Sequence, residues 1–144
     1  MFSKACEYGI RAVLFITVKS LHNQRTRLKE ITSEIQAPEA FTAKVLQKLV
    51  KSDIVCSSTG PKGGFYMEKD KIDTLKLIKI VEAIDGKLLF TGCALGLPAC
   101  NSQQPCPVHH RFQDIRADLK HLFSSLSVGE LARDVDNELA FLKQ

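Results

Sequence analysis

A glycine-rich segment restricts the possible folds of this chain more than any other feature. Residues 59–64 read Thr-Gly-Pro-Lys-Gly-Gly, and glycine tolerates the positive φ angles and the close backbone approach that tight turns need. Two short runs typical of β-strands flank the segment, from Ile54 to Ser58 and from Phe65 to Glu68. The sequence therefore predicts a β-hairpin with Lys62 at its tip.

This hairpin does not have the pattern of a nucleotide-binding loop. In such loops a Lys-Ser or Lys-Thr pair follows the glycines and a helix comes next. Here Gly63 follows Lys62, and the next predicted element is the second strand. Lys62 and the neighbouring glycines can instead approach a phosphate of an extended polyanion.

Apolar spacing predicts three helices before the hairpin. The first has Ser3 as its N-cap, and the second ends near Ala37, because a residue that precedes proline avoids helical dihedral angles. Pro38 suits the first position of the third helix. Two helices joined by a tight turn and followed by a hairpin are typical of a winged helix-turn-helix, whose second helix enters the major groove of DNA.

The third helix has two distinct faces. Its predicted buried positions are Phe41, Val45, Leu46 and Leu49. Its opposite face carries small, basic and amide side chains, at Ala40, Ala43, Lys44, Gln47 and Lys51. Such side chains can approach the edges of DNA bases, and a face that contacts only solvent is the alternative.

The second half of the chain begins with another helix and a loop. Asp73 is the expected N-cap of that helix, and Asp85 with Gly86 is expected to end it. The next residues are rich in Gly, Pro and Cys, which is typical of a loop. We therefore expect a winged helix-turn-helix domain at residues 1–86, a cysteine-bearing loop at 87–106, and a dimerisation helix with a C-terminal helix at 107–144.

A long helix is predicted from Pro107 onward. Its apolar residues alternate at spacings of four and three, at Val108, Phe112, Ile115, Leu119, Leu122 and Leu126. A narrow stripe of this kind suits dimerisation with a second copy, the alternative being packing against its own domain. Ser127 and Glu130 predict a capping box for a last short helix through Leu139 and Leu142. The expected fold class is mainly α with a small β wing.

Charge is distributed unevenly along the chain. The formal net charge is +4, and the surplus of Lys and Arg lies within residues 1–70, which suits binding of a polyanion. The longest apolar run, Ala12 to Val18, is too short to cross a membrane, and the first residues lack the features of a secretory signal. No nucleophile, base and orienting group form one motif. We therefore expect a cytoplasmic protein that is not an enzyme.

Three of the five cysteines cluster in the predicted loop. The cluster has the spacing C-x6-C-x5-C and consists of Cys93, Cys100 and Cys106. Three thiolates in one loop suit an iron–sulfur cluster or a zinc ion, and His109, three residues after the last cysteine, is a candidate fourth ligand. Three unrelated thiols are the remaining alternative. We expect Cys6 and Cys56 to be buried as small apolar residues.

Four segments of the chain, together with the three-cysteine loop, match the pattern of one protein family. The segments are Glu7 to Ala12, Phe41 to Leu49, Gly60 to Phe65, and Val81 to Gly86. On these residues, and over nearly its whole length, the chain resembles the family of small dimeric winged-helix regulators typified by IscR and NsrR, the Rrf-two family. The sequence Gly-Pro-x-Gly-Gly after a helix-turn-helix is the most specific of these features.

The resemblance implies a transcriptional regulator, and specifically a repressor, that binds a palindromic operator in double-stranded DNA as a homodimer. It also implies an iron–sulfur cluster, [2Fe-2S] or [4Fe-4S], that is held by the three loop cysteines and senses redox state, nitric oxide or iron–sulfur status. The fourth ligand varies in the family, and the matching residues here are His109 and, from the partner chain, Glu7. Together with the exposed face of the third helix, the expected DNA contacts are Thr42, Lys44, Gln47, Lys48, Lys51, Lys62 and Gly63.

Two positions depart from the family pattern. The spacing between Cys93 and Cys100 is one residue longer than in the best-known members, which leaves the cluster type open. Ala43 stands where the iron–sulfur cluster regulator has a polar side chain that helps to discriminate operators, so the operator sequence does not carry over. The alternatives are a family regulator that uses zinc or a cysteine-thiol switch and, from another class, an electron-transfer or cluster-carrier protein.

Overall fold

Eight helices and one two-stranded antiparallel sheet form the structure, a computed structural model that describes residues 1–144. The helices are α1 Lys4–Leu21, α2 Leu28–Ile35, α3 Glu39–Lys51, α4 Lys69–Ile72, α5 Leu77–Asp85, α6 Leu88–Thr91, α7 His109–Ser125 and α8 Val128–Asp136. The strands are β1 Cys56–Ser58 and β2 Gly64–Tyr66. The predicted fold class, mainly α with a small β wing, is confirmed.

Helix α1 is the centre of the core. Its N-cap is Ser3, as predicted, and the Ser3 hydroxyl accepts a hydrogen bond from the Cys6 amide at 3.0 Å. α1 packs against α2, α3, α5 and α8, and the residues that it buries include Ala12, Val13 and Ile16. A helix in contact with four others must be apolar on several sides, which explains its broad apolar pattern.

Helices α2 and α3 form the predicted helix-turn-helix, with one change at the turn. α2 ends at Ile35, and Gln36 adopts the left-handed conformation, with φ of 52°. Pro38 is the N-cap of α3 rather than its first residue, because its ψ of 131° is extended. The prediction for Pro38 is therefore wrong by one position, whereas the turn that it marks is present.

The β-hairpin is anchored to the helix-turn-helix. Ser58 pairs with Gly64 at its tip. The Phe65 amide donates to the Thr26 carbonyl at 2.7 Å, and the Thr26 amide donates back to the Phe65 carbonyl at 3.1 Å. Gly64 has a φ of +137°, and a Cβ at Gly63 would lie 2.5 Å from the Ser58 carbonyl oxygen, so this tip requires glycine. The strands are shorter than predicted.

Two short helices, α4 and α6, are not predicted from the sequence. Asp73 does not cap α5; it follows α4, and its carboxylate contacts the Arg133 guanidinium at 2.6 Å. α5 instead begins after Lys76 and ends at Asp85, where Gly86 adopts a φ of +77°. Four residues of the segment predicted as a loop form α6.

The C-terminal helix completes the core. Ser127 and Glu130 form the predicted capping box, although α8 ends at Asp136, before the predicted Leu139 and Leu142. Val128 and Ala132 of α8 are buried, and α8 packs against α1. The expected boundary at residue 107 therefore does not separate α8 from the N-terminal helices. None of the helices combines the length and the apolar character needed to span a membrane.

Candidate functional site

The outward face of α3 carries the side chains expected to contact DNA. Lys44, Gln47 and Lys51 are exposed, and Ala43 between them is half-buried. Lys51 is the last residue of the helix. The exposed part of this face therefore has a lysine at each end, Lys44 and Lys51, and the Gln47 amide between them. Amide and cationic side chains are those that hydrogen-bond to base edges and phosphates in the major groove.

Three of the other expected DNA contacts have different roles in the structure. Thr42 is 0% exposed, so the prediction that its side chain contacts DNA is wrong. It occupies the inward position expected for Phe41, which is 41% exposed and packs edge-to-face against Tyr8. The Lys48 ammonium donates to the Ile84 carbonyl at 3.0 Å and thereby links α3 to α5.

Gly63 is buried within the hairpin tip. Lys62, one residue earlier, is exposed at the tip. Of the two hairpin residues expected to contact DNA, only Lys62 is therefore exposed to solvent. The role of Gly63 is to permit the close backbone contact that holds the tip.

A basic cleft that the sequence does not predict lies beside the hairpin. An open cavity of about 630 Å³ lies between the end of α1, the start of α2 and the hairpin tip. Its charged lining residues are Lys19, Arg25, Arg27, Glu30 and Lys62. Four cations face one carboxylate here, which makes the cleft suitable for backbone phosphates.

Two arginines of this cleft also hold the hairpin. Arg27 donates to the carbonyls of Gly60 at 2.7 Å and Pro61 at 3.1 Å. Arg25 donates to the Ser58 hydroxyl, and its guanidinium carbon lies 4.2 Å from the centre of the Tyr66 ring. Both arginines lie in the polar stretch between α1 and α2, and the sequence shows their charge but not their contact with the hairpin.

The cysteine loop, residues 92–106, brings Cys93 and Cys106 together. The backbone N–H groups of Leu95 and then Leu97 contribute most to lowering the pKa of the Cys93 thiol; burial opposes them, and the Cys106 side chain and the Gly96 amide lower it further. An array of amide donors around one sulfur favours its anionic form. Cys93 is therefore placed as a thiolate ligand would be.

Cys100 lies instead against α7. Its sulfur is 3.4 Å from Nδ1 of His109 and 3.2 Å from Nη1 of Arg116. His109 is buried at the start of α7, and its amide donates to the Cys106 carbonyl at 3.0 Å. The fourth ligand expected from the sequence thus contacts one loop cysteine through its ring and another through its backbone.

The donor set fits an iron–sulfur cluster or a zinc ion in its chemistry. Three thiols and an imidazole lie in or beside one loop, and the amides around Cys93 resemble the hydrogen bonds that tune cluster sulfurs. The side chains form two pairs, and no group of three or more His, Cys, Asp or Glu has a metal-binding arrangement. Glu7, the other expected ligand, pairs with Lys4 at 2.9 Å on α1.

The remaining two cysteines differ from each other. Cys6 is buried, and burial, followed by the nearby Asp85 carboxylate, raises the pKa of its thiol to about 12. Cys56 is half-buried, and its sulfur donates to a Glu68 carboxylate oxygen at 3.4 Å. The prediction of a buried small apolar residue is therefore confirmed for Cys6 and wrong for Cys56.

Helix α7 has an inward and an outward apolar face, so the predicted single stripe divides. Phe112 and Leu119 are half-buried on the inward face, where Phe123 is buried. Ile115 is 60% exposed and Leu122 is 49% exposed on the outward face. The predicted stripe does not include Phe123, which packs against Phe90 of α6 and Phe2 before α1.

Comparison with known sequences identifies one family. The family described as "Rrf2: Iron-dependent Transcriptional regulator" matches residues 2–134. An HTH-type transcriptional regulator of Aquifex aeolicus is 26% identical over 133 residues, which are 91% of this chain and 90% of that protein. The HTH-type transcriptional regulator IscR of Vibrio vulnificus is 25% identical over 129 residues, 88% of this chain and 74% of IscR. These relatives are transcriptional regulators, which are not enzymes.

Comparison with solved structures identifies the same fold. CymR, described as the global cysteine regulator of B. subtilis, superposes with a TM-score of 0.75 at 19% identity, covering 92% of this chain and 96% of CymR. IscR of T. potens superposes with a TM-score of 0.72 at 15% identity, covering 97% of this chain and 91% of IscR. With its helix-turn-helix and glycine-tipped hairpin, the chain belongs to the Rrf2 family of winged-helix transcriptional regulators.

Proposed function

We propose that this regulator is a cytoplasmic homodimer whose affinity for a palindromic operator is set by an iron–sulfur cluster on the cysteine loop. The observation that carries the proposal is the position of the loop. Along the chain, its three thiols follow the winged helix-turn-helix and precede α7, and the Cys100 sulfur contacts His109 and Arg116 of α7. A chemical change in the loop can therefore alter how two DNA-binding domains are spaced.

DNA binding in this proposal uses two surfaces of each protomer. The outward face of α3 would read bases through Gln47, with Lys44 and Lys51 flanking it. The basic cleft and Lys62 would bind backbone phosphates beside the wing. The arginines that hold the wing to α2 also line the cleft, which supports a single rigid DNA-binding unit.

Dimerisation in this proposal uses the outward face of α7. Ile115 and Leu122 are seven residues apart, so they lie on one side of the helix two turns apart. Their exposure leaves a helical apolar stripe that a symmetry-related α7 can cover. Two half-sites of an operator would then be met by two α3 helices roughly 34 to 36 Å apart, one turn of DNA.

Cys93, Cys100 and Cys106 would hold the cluster, with His109 or Glu7 of the partner chain as fourth ligand. A bound cluster supplies a centre that reacts with oxidants and nitric oxide. The chain's own contribution is to carry the three sulfurs in one loop, to lower the pKa of Cys93 through nearby backbone N–H groups and to keep Cys100 against α7. A zinc ion on the same thiols is the alternative within this mechanism.

A thiol switch is the second candidate, and the pairing of Cys93 with Cys106 favours it. In this alternative the two thiols form one disulfide and lose two protons and two electrons. Hydrogen peroxide is a suitable oxidant, since it accepts both and is reduced to two molecules of water.

The test begins with protein purified without oxygen and an operator selected from random duplex DNA. The visible spectrum with iron, sulfide and zinc analysis identifies the bound group, because iron–sulfur clusters are brown and zinc is colourless. Operator affinity is then measured at one salt concentration for loaded protein, stripped protein and a variant with Cys93, Cys100 and Cys106 replaced by Ala. Cys56→Ala is the control outside the loop.

We expect loaded and stripped protein to differ by about 5- to 150-fold in operator affinity, the usual range for coupled sites. Equal affinities for all three forms would reject the cluster as a regulator. A peroxide-induced, thiol-reversible change in affinity of the metal-free protein would favour the disulfide switch instead. A change that Cys56→Ala also abolishes would place the switch outside the loop.

A further inference from the structure

An arginine lies on the inward face of α7, where apolar residues would be expected. Arg116 is half-buried, and its neighbours along that face are Phe112, Leu119 and Phe123. Placing a permanently charged group against the protein has a desolvation cost that must be offset by hydrogen bonds or an opposite charge. The partners of Arg116 therefore indicate what this position is for.

Both polar partners of Arg116 belong to the cysteine loop. One guanidinium nitrogen, Nη1, donates to the Gly92 carbonyl at 2.5 Å and to the Cys100 sulfur at 3.2 Å. Gly92 is the first residue after α6, and Cys100 is the middle cysteine. A single side chain thus joins the entry of the loop, its central sulfur and α7.

The contact is reinforced from the start of the same helix. Cys100 also lies 3.4 Å from His109, which is seven residues before Arg116 and therefore two turns away on the same face of α7. Neither Gly92 nor His109 carries a negative charge that would neutralise the guanidinium. The site consequently suits a sulfur atom that carries negative charge, as a thiolate bound to a metal or cluster does.

The geometry points to Arg116 as a positioning residue that fastens the cysteine loop to the inward face of α7. Through this contact the chemical state of Cys100 reaches the helix whose outward face carries Ile115 and Leu122. The inference rests on the proposed function, because it concerns how the loop and the dimer helix communicate. It adds a residue outside the cysteines that the regulation depends on.

Arg116→Gln is the decisive substitution, because it removes the charge and keeps hydrogen-bonding groups of shorter reach. Arg116→Lys keeps the charge as a single ammonium that does not reproduce the planar guanidinium. Arg111→Gln is the matched control, since Arg111 is exposed on the same helix. Hydrogen exchange of residues 88–106 is measured by mass spectrometry in reduced, metal-free protein, and operator affinity is measured with and without the cluster.

We expect loop amides of Arg116→Gln to exchange about 10- to 100-fold faster, as for the loss of hydrogen bonds to a charged group. Exchange within α1 and α3 should be unchanged, which separates a loosened loop from a damaged fold. The ratio of loaded to stripped operator affinity should fall towards one, with Arg116→Lys restoring part of it. Arg111→Gln should match the wild type in every measurement.

Wild-type protein tests the proposed function by itself, because a ratio of one in that protein rejects regulation by a cluster on the loop and this inference with it. A wild-type ratio well above one, retained in Arg116→Gln, would overturn the role of Arg116 alone. Loop exchange that Arg116→Gln leaves unchanged would overturn it equally.

Discussion

The helix-turn-helix and the cysteine loop differ in what holds them in place. Ile31, Leu46 and Leu49 join α2 and α3 to α1 through aliphatic side chains that solvent does not reach. In contrast, no residue from Thr91 to Val108 is buried. The loop is held by short backbone turns and by polar contacts to Arg116 and His109.

This difference matters because the two kinds of contact respond differently to chemistry. Burial of aliphatic groups is insensitive to oxidation and metal binding, so the proposed DNA-binding surface should keep its shape. Polar contacts around sulfur change when the sulfur gains a ligand or forms a disulfide. Segments with little buried apolar surface also open at low free-energy cost. A rigid helix-turn-helix joined to a loop that is held by few contacts is therefore a suitable basis for a switch.

The largest expected effect comes from comparing one leucine in each region. Leu46 is 0% exposed and Leu95 is 56% exposed. Leu46→Ala should lower the free energy of unfolding by about 2–5 kcal/mol through lost burial and a new cavity. Leu95→Ala should change it by less than about 0.5 kcal/mol, as is usual for surface substitutions.

Urea unfolding followed by circular dichroism measures both variants. Similar losses of stability would mean that the loop is packed as firmly as the core, and the contrast between the two regions would then be wrong.

The outward face of α7 should dominate assembly. Ile115→Lys combined with Leu122→Lys places charges on both exposed positions of the stripe, and it should weaken a dimer by about 30-fold or more, the effect of losing an interface hot spot. Leu119 is not a suitable site for this test, because it packs against the core. Leu139→Lys is the control, since Leu139 is exposed outside α7.

Sedimentation equilibrium should show a folded monomer for the double variant and a dimer for the control. A double variant that remains dimeric would place the interface on another surface.

Helix α8 provides a test of which region the C-terminal segment belongs to. A Cβ at Gly129 would lie 2.6 Å from the Ile72 carbonyl oxygen and 2.7 Å from a carboxylate oxygen of Asp73. Gly129→Ala should therefore lower the free energy of unfolding by about 1–3 kcal/mol, the cost of overpacking. Asp134→Ala, at an exposed position of the same helix, should have little effect.

Thermal unfolding monitored at both α1 and α8 distinguishes the possibilities. A loss of α8 structure while α1 remains folded would show that α8 is not part of the common core.

The regular elements were predictable because their signals are local. Apolar periodicity, the Ser3 and Ser127 caps, and Gly86 each act within one helix, and all are present. The inward positions of α3 and α7 were less predictable. Thr42 and Phe123 are buried because of neighbours distant in sequence, whereas Phe41 is left at the surface beside Tyr8.

In the candidate site, too, features with a local signal were predictable and features that depend on distant contacts were not. The three cysteines, His109 and the α3 face could be named from spacing alone. The basic cleft depends on Arg25 and Arg27 reaching the hairpin across the fold, and the contact between α7 and the cysteine loop depends on Arg116 facing inward. A local pattern shows that these arginines are basic but predicts neither arrangement, because each arises from a contact between segments separated by more than 20 residues in the chain.

The smallest expected effect is that of single lysine substitutions in the winged helix-turn-helix on the affinity for DNA. Lys62→Ala should weaken binding to operator and random DNA alike and reduce the slope of log affinity against log salt by about one, since one phosphate contact is lost. Lys48→Ala should leave that slope unchanged, because its ammonium contacts the Ile84 carbonyl. Lys120→Ala, on the exposed surface of α7, is the control for a general loss of charge. Fluorescence anisotropy at several salt concentrations measures all three variants. Equal slopes for Lys62→Ala and wild type would show that the hairpin does not contact DNA. A reduced slope for Lys48→Ala would mean that Lys48 leaves the Ile84 carbonyl of α5 and contacts DNA in the complex.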